Sequence, residues 1–448
     1  MRRLFAPRAL PGAAPRLRRG LRGPAHVKTA APALDLAAVR AQFPVLEARF
    51  GGKALVYLDS ACTALKSRGV AATLAETTEL WGGCGGKRST HLFAQEVEGR
   101  YQEARRTVAR FLNAERAEDV VLTSGTTEGV NLVARGFDFS GTRREVVVGA
   151  WEHNSVLLPF LEAQGRGVCV LKVCPVRSGR LDLDALDGLV GDKTALVALA
   201  RSSNVLGGDL PAANVARLCR RRGAKLLLDE AQYLSSHRED VRATGADFVA
   251  FSAHKLGGPF GVGALWGEER ALNALRPAKP GGGTVKEVVL EDGAPVPHWL
   301  DSPMRHEAGV PNIPGAVAFA KALELLGSWD PAAVRAHAEA LVRRVVAGVS
   351  RVDGAEVVGD PEALAEGSLV ALRFTDPALS IKDFNLYLNH ELDGRFVAVR
   401  AGEHCAHLLH ASLGLGETLR VSFFAYTTPE ETDVFLSALE SYVREVRS

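Results

Sequence analysis

The sequence has no Cys-x-x-Cys pair and no secretory-type leader. No apolar run approaches the roughly 18 residues of a membrane-crossing helix. Its six cysteines (Cys62, Cys84, Cys169, Cys174, Cys219 and Cys405) stand singly. That excludes a disulfide scaffold and predicts free thiols in a reducing compartment. Charge of either sign is also scarce in sum: the formal net charge is +2, which gives no basic footprint for nucleic acid. Acidic residues are missing altogether from residues 1–34, where seven Arg and Lys28 give +8 and leave −6 for the remainder.

That acid-free extension reads in two ways. As an organellar presequence it would send the protein to a mitochondrion or plastid; as a tail or an upstream translated stretch it would leave a cytoplasmic protein. It holds Thr29 but no Ser, and Pro7, Pro11, Pro15 and Pro24 break up any long amphipathic helix. Met304 is the only methionine beyond Met1, so a later start would need a non-Met codon.

What is present is an ordinary globular composition, 47% hydrophobic and 24% charged over 448 residues. Helical and strand-like stretches alternate from about residue 35. Glu96–Leu112 and Ala212–Arg222 read as helices. Val120–Leu122, Glu145–Val148, Gly167–Val173, Ala195–Ala200, Lys225–Leu228 and Phe248–Phe251 read as strands. Continuous apolar strands between helices predict an α/β protein with a mainly parallel sheet covered on both faces. Residues 279–315 are rich in Gly and Pro and read as a long loop. The remainder, with helices over Ala316–Leu326 and Ala332–Val349, predicts a smaller α+β domain. The expected division is therefore 1–34, 35–315 and 316–448.

Ligands of open parallel sheets bind beyond the carboxyl ends of the strands. Here the runs end in Glu152-His153-Asn154, Ser203-Asn204, Asp229-Glu230-Ala231-Gln232 and Ser252-Ala253-His254-Lys255. Any one group could be a satisfied cap or surface charge; four on one edge predict a polar pocket. Val120–Leu122 leads into Thr123-Ser124-Gly125-Thr126-Thr127-Glu128-Gly129, where hydroxyls and the N–H groups opening a helix can cradle phosphate. An N-cap with a capping box would use the same residues. A phosphate cradle, strand-end Asp229, strand-end Lys255 and His153 together suggest pyridoxal 5'-phosphate. Its ring accepts electrons when a carboxylate keeps the pyridine nitrogen protonated.

On these residues, and on Tyr57-Leu58-Asp59-Ser60-Ala61 and Arg400-Ala401-Gly402-Glu403-His404-Cys405-Ala406, the chain resembles the class V aminotransferase superfamily, and within it the SufS/NifS-type cysteine desulfurases. The resemblance runs from Tyr57 to about Tyr426. It implies a PLP-dependent transferase of fold type I, a homodimer that turns L-cysteine into L-alanine and a persulfide. A sulfur-acceptor protein would follow, with iron–sulfur cluster assembly as the destination. No nucleic acid and no membrane would be involved.

By that resemblance Lys255 is the Schiff-base lysine and proton shuttle, Asp229 pairs with the pyridinium, and His153 stacks on the ring. Gln232 and Asn204 contact the phenolic oxygen. Thr126, Thr127, Ser252 and His254 hold the phosphate. Arg420 binds the substrate carboxylate, with Arg400 close by, and Cys405 is the nucleophile. Arg88 and His91 lie at the entrance, and Cys84 is a weaker second candidate for a reactive thiol. A zinc site from His404, Cys405, His407 and His410 is the lesser reading, because four ligands in seven positions fit a tetrahedron poorly. No metal is therefore expected.

Departures from the family pattern loosen the substrate assignment. Val310 stands where a hydroxyl residue is usual, Glu230 where Gly is common, Arg201 where His or Thr is usual, and Glu403 where a second His is frequent. A selenocysteine lyase or another aminotransferase or epimerase of the superfamily is the alternative activity. A cofactor-binding pseudoenzyme serving as a partner protein is the third reading, against which intact Lys255 and Asp229 argue.

Overall fold

Thr194–Ala200 is buried along its whole length, as a strand covered on both faces must be. The computed structural model describes residues 33–86 and 89–448. The basic extension lies outside them apart from Ala33 and Leu34, and so does Arg88. Thr194–Ala200 belongs to a seven-stranded sheet. Its order is Val120–Thr123, Gly263–Gly267, Phe248–Ser252, Lys225–Asp229, Thr194–Ala200, Glu145–Gly149, Val170–Cys174. Gly263–Gly267 is antiparallel to both its neighbours, and every other pairing is parallel. The mainly parallel sheet expected from the sequence is therefore present. Five strands run one residue further than expected, and three of the added residues, Thr123, Asp229 and Ser252, are polar.

Apolar clusters line the sheet. Val197, Leu199, Leu226, Leu228, Val249 and Phe251 belong to one cluster. Val146, Val148, Leu196, Ala198, Leu227, Phe248 and Ala250 belong to another. Alternate residues of each strand thus fall in different clusters, the period-two signature of a sheet between two layers. Each such fully buried Val, Leu or Phe contributes about 1.5–3 kcal/mol. The covering helices end where their residues require. Ala212–Arg222 stops at Gly223, whose φ of 68° lets its N–H reach the Arg220 carbonyl.

A second, antiparallel sheet has the order Ala355–Val357, Leu369–Phe374, Thr418–Ser422, Arg400–Gly402. Its core includes Val342, Val370, Phe384, Val421, Phe435 and Leu439. The terminal helix Pro429–Arg447 opens on a capping box in which Thr428 and Glu431 satisfy each other's backbone N–H groups.

The chain organisation differs from the sequence expectation in three places. Lys53–Tyr57 pairs in parallel with Arg395–Ala398, so an N-terminal segment packs with C-terminal elements. Helix Ile313–Gly327 packs on helices Arg68–Trp81 and Leu92–Phe111, so it lies on the large-sheet side of a boundary placed at residue 316. Residues 279–315 are not simply a loop: Val285–Glu291 and Ala294–Trp299 form a hairpin. Its turn is Asp292-Gly293 with both φ positive (50° and 81°), the geometry that favours such a pair. Pro295, Pro297 and exposure on both faces hid the strand pattern.

Candidate active site

The carboxyl ends of five strands of the large sheet share one edge, and a cavity of about 350 Å³ opens there. Asp229 is the last residue of its strand, as Ser252 is of the next. Lys255 follows Ser252 in a short 3-10 turn closed by Gly257, whose φ is 77°. Asp229 and Lys255 thereby enter the cavity from adjacent strands.

Burial sets their electrostatics. It pushes the Asp229 carboxyl up, against the Lys255 charge and the Ala231 N–H at 2.9 Å, which favour the carboxylate. Burial pushes the Lys255 amine below its ordinary range; Asp229 opposes this and Arg420 adds to it. Among the described residues Lys255 Nζ has no hydrogen-bond or ion-pair partner. A strand-end lysine of this kind can carry a neutral, nucleophilic amine.

The Gly125 loop lies against Ser252. The backbone N–H of Thr126 donates to Ser252 Oγ at 2.8 Å, and Thr126 Oγ1 and Ser252 Oγ lie 2.7 Å apart. Gly125 caps helix Thr126–Gly136 without a side chain, which leaves the helix N-terminus open to an anion. A Cβ on Gly263 would fall 2.6 Å from the Gly125 Cα, so glycine at 263 lets the loop sit this close to the sheet. Thr127 Oγ1 contacts Ser155 Oγ at 2.7 Å, and Ser155 Oγ contacts His153 Nδ1 at 3.0 Å. His153 caps its own helix by accepting the Ser155 N–H on Nδ1, which puts the ring proton on Nε2. Burial, with the charges of Lys255 and Arg420, lowers its pKa to about 4, so the imidazole is neutral at pH 7. His254 is likewise lowered to about 4, by burial first and the Lys255 and Lys66 charges next.

The far wall comes from the C-terminal elements. Arg420, on Thr418–Ser422, is only 3% exposed. Its Nη1 donates to the Asn204 carbonyl at 3.1 Å and its Nη2 faces Asp59 at 3.5 Å. Its Nε has no partner among the described residues. Arg400 commits Nη2 to Asp59 at 2.7 Å. Among the described residues Arg420 thus has an unused Nε donor, and Asp59 holds both guanidinium groups.

Cys405 is exposed and sits on a loop that turns back through two consecutive left-handed residues, His404 (φ 52°) and Cys405 (φ 55°). Such conformations cost on the order of 1–3 kcal/mol each. Two anchors hold them: Asn204 Nδ2 donates to the His404 carbonyl and the Asn154 N–H to the Cys405 carbonyl, both at 2.7 Å. The histidines around Cys405 are parted. His404 and His410 both reach Thr418 Oγ1, and His407 faces Asn154.

Every residue given a cofactor, substrate or nucleophile role lines this cavity except Gln232. Gln232 is buried just beyond Asp229, and its Oε1 lacks a partner among the described residues. His91 caps helix Leu92–Phe111, and neither it nor Cys84 is at the cavity wall. Sequence reasoning assigned nothing to Asp59, Cys62 or Ser155. Asp59 lay inside a motif already noted, and Cys62 stands three residues beyond it.

Two of the departures are one feature in space. Arg201 Nη1 lies 3.1 Å from Glu230 Oε1, and Glu239 closes on the same guanidinium. Arg201 also stacks 3.8 Å over the Tyr233 ring. Burial raises the Glu230 carboxyl from 4.5 to about 8; Arg201 opposes this, and Asp209 and Asp229 add to it. Between those values the folded chain holds a proton that the unfolded chain releases, so this group's contribution to stability falls as pH rises from 4.5 to 8. Glu230→Gln is expected to gain stability relative to wild type across that window. Urea midpoints at its two ends check this, and an unchanged difference would contradict it.

The residues present fit pyridoxal phosphate. They offer an open helix N-terminus with hydroxyls, a buried carboxylate for a ring nitrogen and an unpartnered lysine. Buried polar atoms of Asn204, Gln232 and His254 also stand without partners among the described residues.

A probable cysteine desulfurase of Mycolicibacterium paratuberculosis is 34% identical over 413 residues, 90% of this chain and 58% of that protein. This chain therefore spans somewhat over half the length of that relative. A probable cysteine desulfurase of Halobacterium salinarum is 34% identical over 411 residues, 91% of this chain and 96% of that protein. The crystal structure of the cysteine desulfurase CsdA (S-sulfonic acid) from Escherichia coli has a TM-score of 0.81 at 31% identity, covering 92% of this chain and all of that one. The Aminotransferase class-V family model matches residues 56–435, and the chain belongs to that family.

Proposed function

We propose that the protein is a pyridoxal-phosphate-dependent cysteine desulfurase. It converts L-cysteine to L-alanine and leaves the sulfur as a persulfide on Cys405. The observation that carries this reading is one cavity holding Lys255, Asp229, buried Arg420 and a loop thiol together. When bound, the cofactor supplies an electron sink for the bonds around the substrate Cα and Cβ.

The chain's own residues do the rest. Thr126, Thr127, Ser252 and neutral His254 would hold the phosphate, neutral His153 would take the ring, and Asn204 and Gln232 would serve its phenolic oxygen. Asp229 keeps the ring nitrogen protonated, because a buried carboxylate gains from a cationic partner. Arg420 orients the substrate carboxylate through its remaining donors, and Arg400 holds Asp59 so that Arg420 is not fully spent. Lys255 moves protons at the substrate carbons as a neutral amine. Cys405 Sγ attacks the substrate sulfur, the C–S bond breaks, and the sulfur stays on the exposed loop. There a sulfur-acceptor protein can take it, with iron–sulfur cluster assembly as its use. A homodimer belongs to the same reading.

The test is purified protein with L-cysteine. The expected result is alanine, with one added sulfur atom on the Cys405 peptide by mass spectrometry. Cys405→Ala is expected to bind cofactor and form no persulfide. Continued desulfuration in Cys405→Ala would overturn the nucleophile assignment.

A further inference from the structure

A second thiol faces the same cavity. Of the six cysteines, Cys62 and Cys405 line it, whereas Cys84 is exposed elsewhere and Cys169, Cys174 and Cys219 are buried. Burial pushes the Cys174 and Cys219 thiols up to about 12, which makes them inert. Cys62 is half-buried on the turn after Lys53–Tyr57. That turn is pinned from three sides: Cys62 N–H to the Asp59 carbonyl (3.0 Å), Ala61 N–H to Ser422 Oγ (2.8 Å), and Ala64 N–H to the His254 carbonyl (3.0 Å). Arg400 and Arg420 share the wall with them and suit an anionic sulfur species.

We propose that Cys62 is a second sulfur-carrying site, which accepts the outer sulfur of the Cys405 persulfide inside the cavity. The inference rests on the desulfurase reading. Cys62 Sγ attacks the outer sulfur, a Cys62 S–S bond forms and the Cys405 S–S bond breaks. The electron pair leaves with Cys405 Sγ, which takes the proton that Cys62 gave up. No oxidant is consumed, because one thiol and one persulfide exchange places. Cys405 is then free for another turnover, and the chain stores two sulfurs.

The holoenzyme is incubated with excess L-cysteine and no acceptor, alkylated, digested and mapped by mass. The expected result is an added sulfur on both Cys62 and Cys405 and none on Cys84. Cys62→Ser is expected to keep the Cys405 persulfide and halve the sulfur stored per chain. Sulfur on Cys405 with Cys62 unmodified overturns the proposal alone. So does equal labelling of exposed Cys84, or a Cys62–Cys405 disulfide with sulfide released. Absence of sulfur from Cys405 itself overturns the desulfurase reading, and this proposal with it.

Discussion

Lys255→Ala is expected to lower L-cysteine turnover by on the order of 10⁴-fold or more and to abolish the visible absorbance of covalently held cofactor. The size follows from its position. Lys255 is the amine adjacent to Asp229 at the sheet edge, and burial lowers its proton affinity. Arg420, His153 and His254 share the cavity but cannot replace it: a guanidinium does not deprotonate, and both imidazoles form parts of the wall. Lys255→Arg is therefore expected to fail as completely as Lys255→Ala. The phosphate loop and Asp229 remain, so the variant should still bind cofactor reversibly, measurable by equilibrium dialysis. Turnover within tenfold of wild type in either variant would refute the role of this residue.

The second large effect concerns stability. Arg105 and Glu307 form a nearly dry ion pair, 1% and 5% exposed, with Nη1–Oε1 at 2.5 Å. Glu307 also accepts the Tyr101 hydroxyl at 2.9 Å and the Leu122 N–H at 2.7 Å, while Arg105 donates to the Val120 carbonyl at 2.7 Å. The pair ties helix Leu92–Phe111 and the segment before Ile313 to the strand that leads into the phosphate loop. Arg105→Met leaves a buried carboxylate without its cation, for an expected loss of about 3–5 kcal/mol. Arg105→Met with Glu307→Leu removes both charges and is expected to recover much of that loss, though Tyr101 and Leu122 lose their acceptor. Urea denaturation of wild type, single and double variants decides it. A double variant less stable than Arg105→Met would show that the pair does not couple as its geometry implies.

Most of the cavity-lining set was legible in the sequence because it lies at strand ends. An apolar run that stops at Asp229 or Ser252 marks the sheet edge by itself, and a parallel sheet brings such ends together. The hairpin of residues 285–299 was not legible, because strands exposed on both faces carry no hydrophobic alternation. Cys62 and Asp59 were missed for a different reason. Asp59 matters through partners 341 and 361 residues away, Arg400 and Arg420, and Cys62 through a cavity wall it shares with distant Cys405; local pattern holds no information about such contacts. Cys84 shows the converse: a glycine-rich setting made it look reactive, yet it lies off the cavity wall.

The sequence by itself determined the parallel sheet, the edge at which the cavity opens and the residue types gathered there. These follow from periodicity and from polar residues placed where apolar strands stop. It also showed that the opening charge balance joins a basic stretch to an acidic body. Tertiary structure alone decided that Asp59 holds both Arg400 and Arg420 and that Arg420 Nε has no partner among the described residues. It alone set Arg201 against Glu230 and placed a second thiol on the wall that Cys405 faces. The physical reason is range. Backbone preferences act over a few residues, whereas ion pairs and shared cavities depend on segments that only the folded chain brings within a few ångströms.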